Sequence, residues 1–421
     1  MSEQLLQKLD YDKTFDCVQC GYCLPACPTY LAFGKEKHSP RGRINLVKMT
    51  AEGKIGIEDM RDSIELCLGC RACETVCPTK VQYGDILMSA VEVLNINKKK
   101  TIVERVVRKT AFDYVLRSKR MIKLVNRATF LYDKTKVKRL ASTVTNNNFL
   151  KKYHLLNQAL PEAELMKKRD LYNANETRLK VAYFEGCIME SFFSKINTLA
   201  MEILKAHGVE LVKVKQTCCG ALQHHAGEVD ITIQLAKENI QQFNDVECDF
   251  IVNSIGGCGA TLKEYDKLFE GDSEWETPAK QFNEKVRDIS ELFEIIDLNL
   301  IYPIEKNAVY QPSCHLENVQ KVFNSPLEII RQIPSLNYID MPGKSLCCGS
   351  AGIYNVLNFD ASMQILDMKM KNVKTVKPNL IITSNPGCHM QMVIGVEKEG
   401  LSDKIEVKHL VEVVAESCGV I

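Results

Sequence analysis

No apolar run in the sequence approaches the roughly 18 residues of a membrane-spanning helix, so any membrane contact is expected from outside the bilayer. No segment carries the G-x-G-x-x-G fingerprint, which argues against NAD or FAD bound in the usual way. Gly343-Lys344-Ser345 resembles the end of a phosphate loop, but Tyr338 stands where the first glycine is required. Excess charge is missing too: 54 Lys and Arg against 53 Asp and Glu in 421 residues leave +1, giving no reason to expect nucleic acid. The first ten residues have no basic stretch followed by an apolar core, so no export signal is expected, and the expected location is the cytoplasm or the inner face of the cell membrane. Tryptophan occurs once, at Trp275, within a polar spacer (271–278) expected to be a surface loop.

What is abundant is cysteine, 18 residues in a chain without a disulfide-scaffold composition, which points to a reducing compartment and metal binding. Eight of them form two copies of one pattern: Cys17-x-x-Cys20-x-x-Cys23-x-x-x-Cys27-Pro28 and Cys67-x-x-Cys70-x-x-Cys73-x-x-x-Cys77-Pro78. Bacterial ferredoxins hold two [4Fe–4S] clusters with this spacing, three ligands from one run and the fourth from the other. The crossed rule assigns Cys17, Cys20, Cys23 and Cys77 to one cluster, and Cys67, Cys70, Cys73 and Cys27 to the second. Disulfides would need an oxidising compartment, and structural zinc normally uses isolated CxxC pairs. Between the runs, Ser39 and Pro40 read as an N-cap and first helical position. Arg41 and Arg43 are candidates for placing positive charge near a cluster, against the plainer readings of a solvated basic face or ordinary salt bridges. Leu5, Leu6 and Leu9 predict a short amphipathic helix ahead of the first run.

Residues 96–140 hold 15 Lys or Arg against three acids, so the rest of the chain is acidic by 11. Apolar residues from Ile102 to Leu116 recur at helical spacing and predict basic amphipathic helices. Either an anionic membrane surface or an acidic partner would suit them. A polar stretch at 173–177 marks a boundary.

Beyond it the chain repeats itself. Cys187, Cys218-Cys219-Gly220 and Cys258 recur as Cys314, Cys347-Cys348-Gly349 and Cys388, with spacings of 31 and 39 residues in the first copy and 33 and 40 in the second. Val181 to Phe184 and Val209 to Val214 read as strands around a helix bearing Ile196, Leu199 and Ile203, and Ser325-Pro326-Leu327-Glu328 reads as a capping box. Alternating strands and helices predict a parallel sheet in each copy, with every motif cysteine just beyond a strand's carboxyl end, where such sheets place ligands. The expected organisation is α+β multidomain: a helical two-cluster ferredoxin-type domain (1–95), a basic helical linker (96–178) and two α/β cysteine-rich domains (179–300 and 301–421).

Four thiols per copy (Cys187, Cys218, Cys219 and Cys258; Cys314, Cys347, Cys348 and Cys388) fit a further iron–sulfur or metal centre, a dithiol active site or structural free thiols. Cys248 and Cys418 fit neither copy and are read as small buried hydrophobes. His224, His225, His315 and His389 lie beside motif cysteines, where they could deliver protons to a quinone or flavin or tune a cluster. A satisfied structural histidine is the commoner role.

Tandem ferredoxin runs, Ser39-Pro-Arg-Gly-Arg43, a basic middle and two Cys-Cys-Gly domains together resemble the iron–sulfur subunits of bacterial glycolate oxidase (glycolate dehydrogenase). Leu346-Cys-Cys-Gly-Ser-Ala-Gly352 and residues 257–265 are the pieces most like that family. The architecture is also similar to one of the subunits of anaerobic glycerol-3-phosphate dehydrogenase and to heterodisulfide reductase subunits. The resemblance implies that FAD-containing glycolate oxidase subunits oxidise glycolate to glyoxylate while this chain passes their electrons toward the membrane quinone pool. One departure stands out: where heterodisulfide reductase repeats end in CxxC, Ile255 and Asn385 occupy the first cysteine's place.

Overall fold

The computed structural model describes residues 2–117 and 179–421, together with 121, 122, 124, 152, 155, 156, 159 and 160. Through residue 97 the elements are helical, in line with the helical ferredoxin-type domain expected there. Helix Ser2–Leu6 opens the chain, and Leu9 behind it is buried. Helix Pro40–Ala51 starts as its sequence demands, with Pro40 in the first turn and the Ser39 hydroxyl accepting from Gly42 N–H at 3.0 Å. Ile44 and Val47 of that helix pack against Ile86, Ala90 and Val93 of helix Tyr83–Asn97, forming the core on which both cysteine runs rest.

Each repeat folds as a four-stranded, wholly parallel sheet. Strands β1 (Leu179–Tyr183), β2 (Val209–Val212), β3 (Phe250–Asn253) and β4 (Val286–Asp288) lie in the order β2-β1-β3-β4. Strands β5 (Lys306–Gln311), β6 (Leu336–Tyr338), β7 (Leu380–Thr383) and β8 (Glu406–His409) lie in the order β6-β5-β7-β8. The chain leaves the inner strand outward and returns to its other side, so the direction reverses between β1 and β3 and between β5 and β7. At that switch point strand ends splay and leave room for a ligand.

The two sheets share one core. Val181, Tyr183 and Val252 of the first and Ala308, Tyr310 and Ile382 of the second belong to a single buried cluster, joined by Leu199 and Ile203 and by Leu410 and Val414. A polar group ends each repeat in the same way. Asp288 caps helix Ile289–Ile295 and His409 caps helix Leu410–Ser417, each completing a capping box with a glutamate three residues on.

Three expectations are corrected in detail. Ser325 is inside helix Ser325–Gln332, whose cap is Asn324, and its hydroxyl bonds Glu294 at 2.9 Å, so no capping box forms there. The second strand ends at Val212. Only the first part of the 271–278 spacer is loop, because helix Glu276–Lys285 starts within it, with Trp275 tilted against Phe269 at 5.9 Å and under the Lys237 ammonium. Of the basic stretch, helix Ile102–Lys109 is observed and most of residues 118–140 lies outside the described residues. Among the described residues no helix is long and apolar enough to cross a membrane.

Candidate functional site

Both ferredoxin runs wind in the same way. Gln19 and Gly21 flank Cys20 with φ of 58° and 88°, and Gly69 and Arg71 flank Cys70 with φ of 60° and 57°. Left-handed residues on either side of the middle cysteine curl the backbone so that its N–H groups face sulfur, as Gly69 N–H does toward Cys67 Sγ at 3.4 Å. Gln19 and Arg71 hold this conformation without being glycine, a strain found where function demands it. Cys17, Cys20, Cys23 and Cys77 line one small cavity together with Cys73; Cys27, Cys67, Cys70 and Cys73 line a second.

Donors reach these sulfurs in matching positions. The residue two after each Cys-Pro cysteine is threonine, with Thr29 Oγ1 3.2 Å from Cys27 Sγ and Thr79 Oγ1 3.4 Å from Cys77 Sγ. Tyr83 Oη lies 3.3 Å from Cys67 Sγ. Arg43, 1% exposed, aims Nη1 at Cys27 Sγ (3.9 Å) while donating to Thr29 Oγ1 (3.0 Å) and Ser63 O (2.7 Å). Arg41 instead pairs with Glu36 at 2.6 Å, an ordinary salt bridge, and holds the Gln19 carbonyl at 3.0 Å. Burial pushes the Cys70 and Cys73 thiols well up. Cys77 is also raised by burial, but the Thr79 hydroxyl and neighbouring N–H groups outweigh that and bring it below its ordinary value. Thiols gathered in two groups, with a buried guanidinium and hydrogen-bond donors aimed at sulfur, suit clusters of negative charge. Metal binding would displace the protons that burial otherwise holds on sulfur.

In the first repeat the four motif thiols meet at the switch point. Cys187 opens helix Cys187–Phe192, Cys258 lies in the first turn of helix Gly256–Leu262, and Cys218-Cys219 turn between them on Gly220, whose φ is 81°. Sγ of Cys187 is 3.3 Å from Cys218, and Sγ of Cys219 is 3.2 Å from Cys258. None is disulfide-bonded. Thiols of Cys187 and Cys219 on either side of Cys218, with Gly220 N–H and Gln223, pull Cys218 well below its ordinary pKa, whereas Cys187 and Cys219 are pushed well up. The second repeat is built alike: Cys314 pairs with Cys347 and Cys348 with Cys388, and Gly349 (φ 95°) points its N–H at Cys347 Sγ at 3.5 Å. Tyr183 on Ser254 and Tyr310 on Ser384, each at 2.9 Å, brace the two sites identically.

The sites are not independent. Cys70 and Cys347 share a buried cluster with Leu68, Tyr354 and Ile365, against which Cys314 packs. Asn318 Nδ2 donates to Cys70 O at 2.9 Å and Tyr354 Oη to Leu66 O at 3.2 Å. The second ferredoxin run is therefore welded to the second repeat's thiols. Asn385, in place of a fifth cysteine, accepts from Gly257 N–H at 3.1 Å and reaches Cys388 Sγ at 3.8 Å, tying one repeat's site to the other's. Ile255, in the equivalent place, is buried beside Gly186.

Residues 13–81 match the family described as 4Fe-4S dicluster domain, and residues 181–263 and 308–393 match Cysteine-rich domain. The chain is 37% identical to the probable glycolate oxidase iron-sulfur subunit of Bacillus subtilis (strain 168), over 100% of this chain and 97% of that one. It belongs to the glycolate oxidase iron–sulfur subunit family. The glycolate oxidase iron-sulfur subunit of Escherichia coli (strain K12) is 28% identical over 95% of this chain and 93% of its own. Lactate utilization protein A of Geobacillus sp. (strain WCH70) is 27% identical, covering 56% of this chain and 98% of its own. As a member of the glycolate oxidase iron–sulfur subunit family, the chain is an iron–sulfur electron-transfer subunit of an oxidoreductase complex.

The histidines divide. His389 is a core residue, edge-on to Phe193 at 5.6 Å and bonded to Thr383 Oγ1, and burial drops its pKa to about 4. His225 and His315 face each other at 5.4 Å across the floor of a cavity of about 630 Å³, which His224 and Gly69 also line. Burial lowers them to about 3 and about 4, so at neutral pH both rings are uncharged. Around the cavity, Arg71 forks onto both Glu264 oxygens at 2.7 Å, and Lys267 bonds Glu264 at 2.8 Å. The clamp of Arg71 on Glu264 was missed from sequence, since a spacing of 193 residues carries no signal. Cys248 is buried in the first repeat's core, in the same apolar cluster as Cys187, Cys218 and Cys219, and Cys418 is half-buried.

Proposed function

We propose that this chain is the electron-transfer subunit of a glycolate-oxidising enzyme. FAD-containing partner subunits would oxidise glycolate to glyoxylate, and the chain would carry the electrons onward to the quinone pool at the inner face of the cell membrane. Two [4Fe–4S] clusters are assigned to the ferredoxin runs, on Cys17, Cys20, Cys23 and Cys77 and on Cys67, Cys70, Cys73 and Cys27. The repeats are assigned one further metal or iron–sulfur site each, on Cys187, Cys218, Cys219 and Cys258 and on Cys314, Cys347, Cys348 and Cys388.

The observation that carries this reading is the packing of Cys70 against Cys347 and Cys314 in one apolar cluster. A redox group on the second run would then stand directly against the second repeat's thiols, and Asn385 continues the contact to the first repeat. Redox sites placed in such contact would make a wire, whereas a disulfide-reducing enzyme would need one of them to be an open substrate site. Glycolate is preferred to lactate because the glycolate oxidase relatives match nearly the whole chain and the lactate utilization relative only 56% of it.

The test is reduction of the anaerobically purified protein by its co-purifying flavoprotein. With glycolate, cluster absorbance should bleach and a quinone analogue should then restore it. Bleaching by L-lactate but not glycolate would move the substrate, and no bleaching by either would defeat the electron-transfer assignment.

A further inference from the structure

Helix Ile102–Lys109 carries its amphipathic pattern the wrong way round for a soluble protein. The side chain that meets the protein is Arg108, fixed by bonds to Glu228 (3.0 and 2.6 Å) and to Ala226 O (2.9 Å), while half-buried Glu104 on the same side pairs with Lys98 at 2.6 Å. Its apolar side chains face outward: Ile102, Val103, Val106 and Val107 are 79, 72, 59 and 60% exposed. Isolated exposed apolar residues need no explanation, but a contiguous stripe on one helix face marks a contact surface.

We propose that this stripe docks on an anionic lipid surface, and that docking turns the first cysteine-rich site toward the membrane. The choice of occupant rests on charge and composition. Exposed Lys99, Arg105 and Lys109 flank the stripe, which is the arrangement of a helix lying in the headgroup region with basic residues on lipid phosphates. The stripe itself is aliphatic throughout, without the Trp, Tyr or Arg anchors that dominate protein-binding hot spots. The orientation follows from what lies beneath. The chain continues through Phe112, whose carbonyl accepts from Gln223 Nε2 at 3.4 Å, and Gln223 Oε1 accepts from Cys218 Sγ at 3.9 Å. Val115 and Leu116 pack on the same cluster as Cys187, Cys218 and Cys219. The first repeat's thiols are thus the redox-capable group nearest along this path to the stripe. This inference rests on the electron-transfer reading for its purpose, though not for its geometry.

The experiment is flotation of the full-length, anaerobically purified protein with phosphatidylcholine vesicles, with and without phosphatidylglycerol. Binding is expected only with phosphatidylglycerol and should weaken at high salt. Val106→Asp should weaken it about tenfold or more, since a charge is driven into the headgroup and acyl boundary, and Arg105→Gln should weaken it less. Unchanged iron content certifies that the variants fold. On vesicles, amide exchange should slow over residues 98–116 and not around Cys20. Equal binding to neutral vesicles, no binding, or full binding by Val106→Asp would overturn the docking. Protection appearing around Val18 and Tyr22 instead would overturn the orientation. A vesicle-bound protein that accepts no electrons from the reduced flavoprotein would defeat the electron-transfer reading while leaving the docking intact.

Discussion

Lys369 of the second repeat stands where the first repeat has Asn239. The register is set seven residues earlier on each helix, where Thr232 and Ser362 press on the glycines of the two Cys-Cys-Gly turns: a Cβ on Gly220 would lie 3.2 Å from Thr232 Cγ2, and one on Gly349 would lie 2.8 Å from Ser362 O. Both residues tie down the loop entering the turn. Asn239 does so as a neutral amide, donating to Cys218 O and accepting from Thr217 N–H, both at 3.0 Å. Lys369, 1% exposed, does so as an amine, donating to Gly343 O at 2.8 Å and Lys344 O at 2.9 Å, with Cys347, Cys348 and Cys388 nearby.

One otherwise symmetrical pair of sites is therefore given a buried cation on one side only. A unit charge beside a buried site is worth on the order of 2 kcal/mol at an effective dielectric near 20, roughly 90 mV for one electron. Lys369→Gln keeps a donor and removes the charge. Potentiometric titration should find the second repeat's centre lowered by up to about that amount, and the ferredoxin signals little moved. No change in any potential would mean that Lys369 is neutral in the loaded protein or that this repeat holds no redox centre.

The turn glycines should be unequal. Gly349 has φ 95° and meets a backbone carbonyl that cannot move aside, whereas Gly220, at φ 81°, meets only a methyl group of Thr232. A non-glycine residue in such a conformation costs on the order of 1–3 kcal/mol before any clash. Gly220→Ala should cost about that, and Gly349→Ala more, read as a larger fall in thermal midpoint and loss of metal from the second repeat. Equal effects would show that the Ser362 helix end yields.

Crossed ligation makes a pairing prediction. Cys17→Ser and Cys77→Ser, 60 residues apart, should bleach the same electron paramagnetic resonance signal, and Cys67→Ser with Cys27→Ser the other. Iron attributable to this domain should fall from about eight atoms to about four in each variant. If Cys17→Ser and Cys77→Ser damage different centres, each run ligates its own cluster.

Much of this was legible in the sequence because it is local. Ligand spacing on one short run, a repeat with constant intervals and an N-cap such as Ser39 are all set by residues a few positions apart. The features that join the domains were not. Arg71 on Glu264, Asn318 on Cys70 and the matched places of Asn239 and Lys369 depend on how separately folded units dock, and the intervening residues do not encode that in any readable pattern. The outward face of helix Ile102–Lys109 was half legible: its periodicity was plain, but periodicity cannot say which side meets the protein. Arg108 decides it, through a partner 120 residues away. The misread capping box at Ser325 is a local failure, since Asn324 took the cap one residue earlier.

The first repeat should be less stable at neutral pH than its packing allows, because of Asp288. Its carboxylate is 2% exposed; Oδ1 accepts from Ser290 N–H (3.0 Å) and Oγ (2.6 Å), while Oδ2 has no partner. Burial raises its pKa to about 6 despite those bonds. The folded state then binds a proton between the ordinary carboxylate range and pH 6 that the unfolded state has lost, so this group's contribution to stability is fully present below about pH 4 and is lost as pH rises through 6. The second repeat avoids the buried charge, though not the unpartnered atom, by capping the equivalent helix with His409: burial holds it uncharged with a pKa of about 3, Nδ1 accepts from Val411 N–H at 3.2 Å, and Nε2 has no partner. Asp288→Asn preserves the cap acceptor and removes the charge. At pH 7 it should stabilise the first repeat by about 1–2 kcal/mol, less than the shift alone implies because the amide nitrogen inherits the unpartnered position. Urea unfolding between pH 5 and pH 8 should show that advantage shrinking toward the acid end. An advantage independent of pH would mean that Asp288 does not titrate over this range, and a loss at pH 7 that its charged form is stabilised in the folded state.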